Sequence, residues 1–452
     1  MKKKEFKSQN NLLKFIGFSS VILLTLIFSI LSNLTMVSGI SLFLLLFLGV
    51  LLFLKPLWGL IVLIILRPAI DLAGTQPFFS SRNLFVDINL NSLLGLLVVV
   101  WGAWVVYKNR QKINKLPAII SIVLFLLITI FSVFLSPNAV SSLREFIRIL
   151  SIFSLYAIAF FLVKSKDDKK KLINGIILSS FIPVSVGLAQ RFMGEGEVIF
   201  GEFFRRIYGT FFYPNSLAFF LVLVIGLALE RFYRSKKISF KVLYAGLILL
   251  YFFVLLGTYT RGAWIGIILL FLVFSALKLP RLLLAGFLIL VLIYFLGPTL
   301  QERINDVISL EPFSSLIWRF RLWRNTLPFF YEKPLLGHGI GSFQSVSQKL
   351  QGLSTLPAPE AHNDYLRLLI ETGVLGVLTY FAIQLRLAIF FLKNYFKKKD
   401  KYLKSTNLIV FLLIGVFLVM AFGDNVIRGT ATQWTLFTLI GATASLNLGF
   451  KK

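Results

Sequence analysis

The sequence predicts an all-α, polytopic integral membrane protein of about 12–14 transmembrane helices with one long extracytoplasmic loop. Three observations predict it. The mean hydropathy is +0.85, with 57% hydrophobic and 15% charged residues, which is not the composition of a soluble domain. Apolar runs near the roughly 20 residues that cross a bilayer recur along the chain. Short basic runs separate many of them, so the net charge of +28 reads as loops facing an anionic leaflet and not as a nucleic-acid surface.

Hydropathy places spans near 14–33, 37–54, 56–72, 90–107, 117–135, 146–163, 172–189, 216–230, 242–258, 262–278, 281–297, 373–392, 406–422 and 433–449. The opening "MKKKEFKSQNNLLKFIGFSSVILLTLIFSI" joins a basic stretch to an apolar core, as a signal peptide does. More spans follow at once without a small-residue cleavage site, which predicts an uncleaved first span with its lysines inside. From that start, "KNRQKINK" after Tyr107, "KSKDDKKK" after Val163, "RFYRSKKISFK" after Glu230 and "KNYFKKKDKYLK" after Leu392 all fall in the cytoplasm. Both termini are then cytoplasmic. The segment around "RPAIDLAG" fits this alternation least well. Three parts follow: a transmembrane part over 1–297, an extracytoplasmic loop over 298–363 and a second transmembrane part over 364–452.

On this topology about 26 of the 28 lysines are cytoplasmic, whereas about 14 of the 19 arginines lie outside or at outer span ends. A compositional bias of the lineage would affect both sides alike. Arginine keeps its charge when desolvated and grips phosphate through a planar fork, so the asymmetry points to an external phosphate-binding site. The chain has no cysteine, no evident internal repeat and no Gly-rich nucleotide loop. Its acids lie in loops or at span ends, unlike the midplane acids of ion-coupled transporters.

Four external stretches gather the polar chemistry. In "FFRRIYGTFFYPNSLAFF", Pro214 and Asn215 suit a helix start, and Asn215 serves either as a cap or as a site residue. Snorkelling accounts for one of Arg205 and Arg206, and a bound anion accounts better for the pair. In "GTYTRGAWIG", Arg261 sits in a short turn between two apolar spans with no acid nearby in sequence, so its partner comes from another loop or from a ligand. In "SSLIWRFRLWRNTLPFF", Leu316, Phe320, Trp323 and Leu327 share one helical face. That interfacial helix would present Arg319 and Arg324 at the membrane surface. "EKPLLGHGIGSF" adds a Gly-rich turn suited to tight backbone packing.

The fourth stretch is "EAHNDYLRLLIETG". Asn363 or Asp364 caps a helix running through Glu371 to Gly373, and His362 stands just before the cap. A lone histidine is more often structural. Beside several arginines that want an anion, a neutral imidazole can instead take a proton from an attacking hydroxyl.

Together "RIYGTFFYPNSLA", "TRGAW", "RFRLW" with "KPLLGHGIGSF", and "AHNDYLRLLIETGVLG" resemble the O-antigen ligase and O-antigen polymerase superfamily. Each motif alone is weak, but the four occur in order from Arg206 to Gly376. The resemblance implies a GT-C-like fold and an enzyme of the bacterial cytoplasmic (inner) membrane. It implies transfer of a glycan from an undecaprenyl-pyrophosphate carrier to a lipid, glycan or protein acceptor on the outer face, without metal or cofactor. Arg206, Arg261 and Arg319 match the family's pyrophosphate-binding arginines, and His362 matches its catalytic histidine. Arg205, Asn215, Arg324, Asn363 and Glu371 are supporting candidates; no role is carried onto His338. A histidine base favours direct displacement with inversion, and guanidinium groups stabilise charge developing on the leaving pyrophosphate. No external Asp-x-Asp motif occurs, so the arginines would stand in for a cation. The rival expectations are a polymerase joining carrier-linked repeat units and, in another class, a transporter or flippase of the lipid-linked glycan.

Overall fold

The computed structural model describes residues 36–81, 86–198, 205–283, 286, 315–350 and 360–449. The helices are α1 (Met36–Leu54), α2 (Pro56–Ala69), α3 (Leu90–Lys108), α4 (Ile119–Val133), α5 (Ala139–Leu162), α6 (Lys166–Leu178), α7 (Phe181–Met193), α8 (Pro214–Arg234), α9 (Ile238–Gly257), α10 (Arg261–Lys278), α11 (Ser315–Glu332), α12 (Phe343–Ser347), α13 (Asp364–Lys397), α14 (Lys401–Gly423) and α15 (Thr430–Leu448). Two antiparallel hairpins complete it: β1 (Pro77–Ser81) with β2 (Val86–Asn89), and β3 (Glu197–Val198) with β4 (Arg205–Arg206). The protein is an all-α, multi-pass membrane protein. Among the described residues eight helices are long and apolar enough to cross a membrane, counting α6 and α7 together, and three shorter apolar helices accompany them.

Twelve expected spans fall on described helices; the first lies outside the described residues and 281–297 almost wholly so. The expected span 172–189 lies within the candidate span Lys166–Met193, which a turn at Ser179 and Ser180 interrupts. Ser179 and Ser180 turn their hydroxyls back to Ile176 O and Ile177 O, at 2.7 Å each, and Pro183 offers no backbone donor to the turn before it. The span 433–449 exists as α15 but is not among the helices apolar enough by composition. It is instead buried almost throughout. Gly441 lets it lie directly on α5, because a Cβ there would stand 2.2 Å from Tyr156 O. Trp434 Nε1 donates to Ser151 Oγ at 2.8 Å and Ser445 Oγ to Val163 O at 2.6 Å. A helix walled by protein needs close approach and hydrogen bonds more than it needs an apolar surface.

The bundle has two chemically distinct ends. At one, Lys166 pairs with Asp400 at 2.7 Å and Lys398 donates to Asn447 O at 2.8 Å. This is the lysine-rich end. The starts of α8, α10 and α13 and the ends of α9 and α14 meet at the other, where the external arginines were expected.

The expected break at Gly373 is present and explains the Gly-rich turn. Gly373 has φ +63° inside α13, so the backbone leaves the helix there. The freed groups are taken up by the 334–339 segment. His338 N donates to Ile370 O and Gly339 N to Glu371 O, both at 2.9 Å, while Val374 N reaches Pro334 O at 2.9 Å. The approach is close enough that a Cβ on Gly373 would lie 2.3 Å from the Leu335 carbonyl. His338 points its Nε2 to Phe329 O at 2.7 Å and holds this junction.

Candidate functional site

A cavity of about 840 Å³ opens at the arginine-rich end. Its walls come from the α2–α3 connection, the segment before α8, α11, the residues before α13, and the α14–α15 loop.

Arg206 enters it from β4, 8% exposed and locked in orientation. Its Nε donates to Thr258 O at 2.7 Å, and its Nη2 donates to Asn215 Oδ1 at 2.5 Å and Thr260 Oγ1 at 3.1 Å. Thr258 and Thr260 belong to the turn that also carries Arg261, and Tyr259 between them has φ +49°. The Arg261 turn therefore builds the seat of Arg206. Asn215 is not the cap of α8, since Tyr213 occupies that position without a side-chain bond. Its amide Nδ2 instead donates to Asp424 Oδ2 at 2.5 Å.

Asp424 is the junction of the site, and the sequence reading missed it. It ends α14, is 5% exposed, and its Oδ1 lies 3.6 Å from His362 Nδ1. That separation is long for a hydrogen bond but short for electrostatic pairing. Burial pushes the Asp424 carboxyl upward, yet His362 and Arg319 outweigh it and hold it below its ordinary value. Arg319 Nη1 donates to Gly423 O at 2.5 Å, which sets it beside Asp424. Burial lowers the Arg319 pKa from its usual value; Asp424 opposes this and the nearby Arg261 charge adds to it. The Arg319 and Arg261 charges repel each other there, but neither residue is among those that line the cavity, which Arg206 and His362 do line.

His362 is held by its backbone. It has φ +47°, a left-handed conformation that histidine adopts more readily than most residues. Asn363 is the cap: its Oδ1 accepts from Tyr365 N at 3.0 Å and Leu366 N at 3.1 Å. Asp364, the alternative cap, accepts from Ile427 N at 2.7 Å and so fastens the α14–α15 loop beside the histidine. Trp323 Nε1 grips Ala361 O at 2.7 Å, and the Trp318 ring stands edge-on to the imidazole at 5.9 Å. The His362 side chain stays 28% exposed, open to the cavity.

The supporting candidates separate. Arg205 and Arg324 are exposed, and neither lines the cavity. Glu371 lies behind the site in a buried ionic network. Its Oε1 accepts from Phe343 N at 3.1 Å, and its other oxygen stands 3.5 Å from Arg367. Arg367 bonds Glu145 at 2.8 Å; Arg148 holds the same Glu145 and reaches Ile427 O at 2.7 Å. This network braces the loop that presents Asp424. On α11 the apolar stripe is not the buried face. Leu322 and Thr326 are buried, whereas Phe320 is 50% and Leu327 37% exposed, as suits residues that meet lipid. Leu316 has no described side chain.

Besides Asp424, the cavity holds Arg428, paired with Glu360, and an Arg67–Asp71 pair at 2.6 Å. Arg428 was legible: like Arg261, it occupies a short turn between two spans.

Residues 245–381 match the family model described as O-antigen ligase. That match takes in Arg261, Arg319 and His362 and leaves out Arg206, Asn215 and Asp424. The chain is 22% identical over 339 residues to an O-antigen ligase of Salmonella typhimurium, covering 72% of this chain and 80% of that protein. It is 27% identical over 277 residues to an uncharacterized protein of Haemophilus influenzae, covering 56% of this chain and 65% of that one.

Proposed function

Because the chain belongs to the O-antigen ligase superfamily, we propose that it transfers a glycan from an undecaprenyl-pyrophosphate carrier to an acceptor hydroxyl on the outer face of the cytoplasmic membrane. The observation that carries this reading is the linked series Arg206–Asn215–Asp424–His362 along one cavity wall.

Asp424 faces Nδ1 of His362, which favours the tautomer with its proton there and leaves Nε2 to accept one. The acceptor hydroxyl gives its proton to Nε2 as its oxygen attacks the anomeric carbon. The bond from that carbon to the carrier phosphate oxygen breaks, and the electron pair leaves with the pyrophosphate. Arg206, Arg261 and Arg319 stabilise that growing charge. Arg206, already fixed by three protein acceptors, loses little freedom when it meets a phosphate. Direct attack inverts the anomeric centre.

The test is transfer by purified, reconstituted protein supplied with carrier-linked glycan and a lipid acceptor fraction. Glycan appearing on the acceptor supports a ligase; carrier-linked glycan growing in length indicates a polymerase. No transfer to anything would sink the enzyme reading. The side of the membrane is tested separately in the cysteine-free chain. An impermeant thiol reagent should label Lys349→Cys in intact cells and spare Lys236→Cys. Reversed labelling overturns the outer-face assignment.

A further inference from the structure

We propose that the cavity wall between α2 and α3 is a sugar-ring subsite, in which Asp71 and Thr75 bind hydroxyls and Phe212 with Tyr213 cover a ring face. This rests on the glycan-transfer reading and adds what the pyrophosphate and histidine side leaves unexplained. The wall comes from "RPAIDLAGTQ", a stretch that the span pattern accommodates poorly and that the mechanism does not use.

Its chemistry differs from the arginine side. Arg67, 4% exposed, is paired with Asp71 at 2.6 Å and lies over the Trp434 ring at 5.6 Å. The pair cancels its own charge, so this wall suits a neutral ligand better than a phosphate. Asp71 supplies only acceptors and Thr75 a hydroxyl oxygen, which donates to Leu72 O at 2.6 Å and keeps lone pairs to accept with. Sugar hydroxyls donate to groups of this kind. Next to them Phe212 and Tyr213 are 49% and 52% exposed, packed edge-to-face at 4.7 Å, and both line the cavity. A ring face with a polar tip beside hydroxyl acceptors fits the C–H face and rim of a pyranose.

The wall is rigid. Leu72 N donates to Thr210 O at 2.9 Å, Thr210 Oγ1 to Pro68 O at 2.7 Å, and Asn91 Nδ2 to Asp71 O at 2.9 Å. These bonds fasten the α2 end to the segment that carries the aromatics, so the groups are placed before any ligand arrives. Volume agrees. Pockets of roughly 300–1,000 Å³ hold whole drug-sized ligands, and 840 Å³ leaves room well beyond a pyrophosphate.

The ring belongs either to the donor glycan or to a sugar on the acceptor, and two measurements separate them. Equilibrium binding to detergent-purified protein is compared for undecaprenyl pyrophosphate and for carrier-linked glycan extracted from the source cell's membranes. Initial transfer rates are then measured while the acceptor lipid fraction is varied. Asp71→Asn should raise the Kd of the carrier-linked glycan, or the acceptor KM, by about 10- to 100-fold, the range for losing a charged acceptor, and Tyr213→Leu by about 2- to 10-fold, the range for losing an aromatic contact. Affinity for undecaprenyl pyrophosphate should stay within about twofold. Thr75→Val, which leaves the ion pair intact, supplies a second variant if Asp71→Asn fails to fold. A change in glycan Kd places the donor sugar on this wall, and a change in acceptor KM alone places the acceptor sugar there. Unchanged values for both, or an equal loss of affinity for the bare carrier, overturn the subsite. If the unaltered protein prefers the glycan-bearing carrier in a Tyr213-dependent way yet transfers nothing, the subsite stands and the transferase reading falls.

Discussion

Asn215 donates its side-chain amide to Asp424 Oδ2 at 2.5 Å, joining the first turn of α8 to the end of α14 across 209 residues of sequence. One carboxylate thereby sees both the seat of Arg206 and the imidazole of His362.

Asp424→Asn keeps the shape and removes the charge that orients His362. Transfer should fall about 10- to 1,000-fold, less than the roughly 10⁴-fold of a tightly bonded hydrolase triad, because the pairing here spans 3.6 Å. The same substitution has a pH signature. The folded carboxyl is held below its unfolded value, so its stabilisation is present above about pH 4 and is lost as pH falls through the folded pKa. Thermal unfolding in detergent should show a wild-type advantage at pH 7 that shrinks below about pH 4. A constant advantage down to pH 3 would mean that Asp424 contributes shape alone.

Arg261→Lys and Arg319→Lys should insert and purify normally but lose about 100- to 1,000-fold in transfer rate, since an ammonium cannot reproduce the planar fork at a developing oxyanion. Full activity in both lysine variants would reduce these arginines to surface anchors.

The conformation of His362 separates fold from chemistry. His362→Asn tolerates the left-handed φ and should fold as well as wild type while losing about 100- to 10,000-fold in transfer. His362→Val should in addition lose about 1–3 kcal/mol of stability, because a β-branched residue is strained there. Binding of the carrier-linked donor should survive in the asparagine variant; its loss would move His362 into the pyrophosphate site.

Gly373→Ala should be among the most damaging changes outside the cavity. Its Cβ would meet the Leu335 carbonyl at 2.3 Å and its φ is +63°, so the 334–339 segment must separate from the break in α13. A fall in Tm of several degrees is expected, with Gly415→Ala, where a Cβ meets nothing, as the neutral comparison. Equal Tm values would contradict the junction.

Local patterns carried much of this. A cap at Asn363 or Asp364, the helix end before Gly373 and the tight Gly-rich turn are all decided within about ten residues and were readable, though only the structure chose Asn363 over Asp364. The buried face of α11 was not. The stripe reads as the lipid side of an interfacial helix, which the exposure of Phe320 and Leu327 fits, but nothing local marks Leu322 and Thr326 as the side that meets protein. Asp424 escaped for another reason. It is one of three polar residues in a six-residue connection, and its partners Asn215 and His362 are supplied by distant parts of the chain.

The burial of α15 bears on how the chain enters the bilayer. Thr430–Leu448 is less apolar than the other spans. Thr435 and Thr443 bond back to Ala431 O and Leu439 O, Gln433 bonds Val426 O in the loop before it, and Asn447 pairs with Asn407 on α14. It is synthesised after α5 and α14, which predicts insertion by docking into the groove they form. A reporter fused after Leu448 should therefore reach its native side only when that groove is intact. Gly441→Leu, which closes the groove against Tyr156, should misplace the reporter while the earlier helices insert normally.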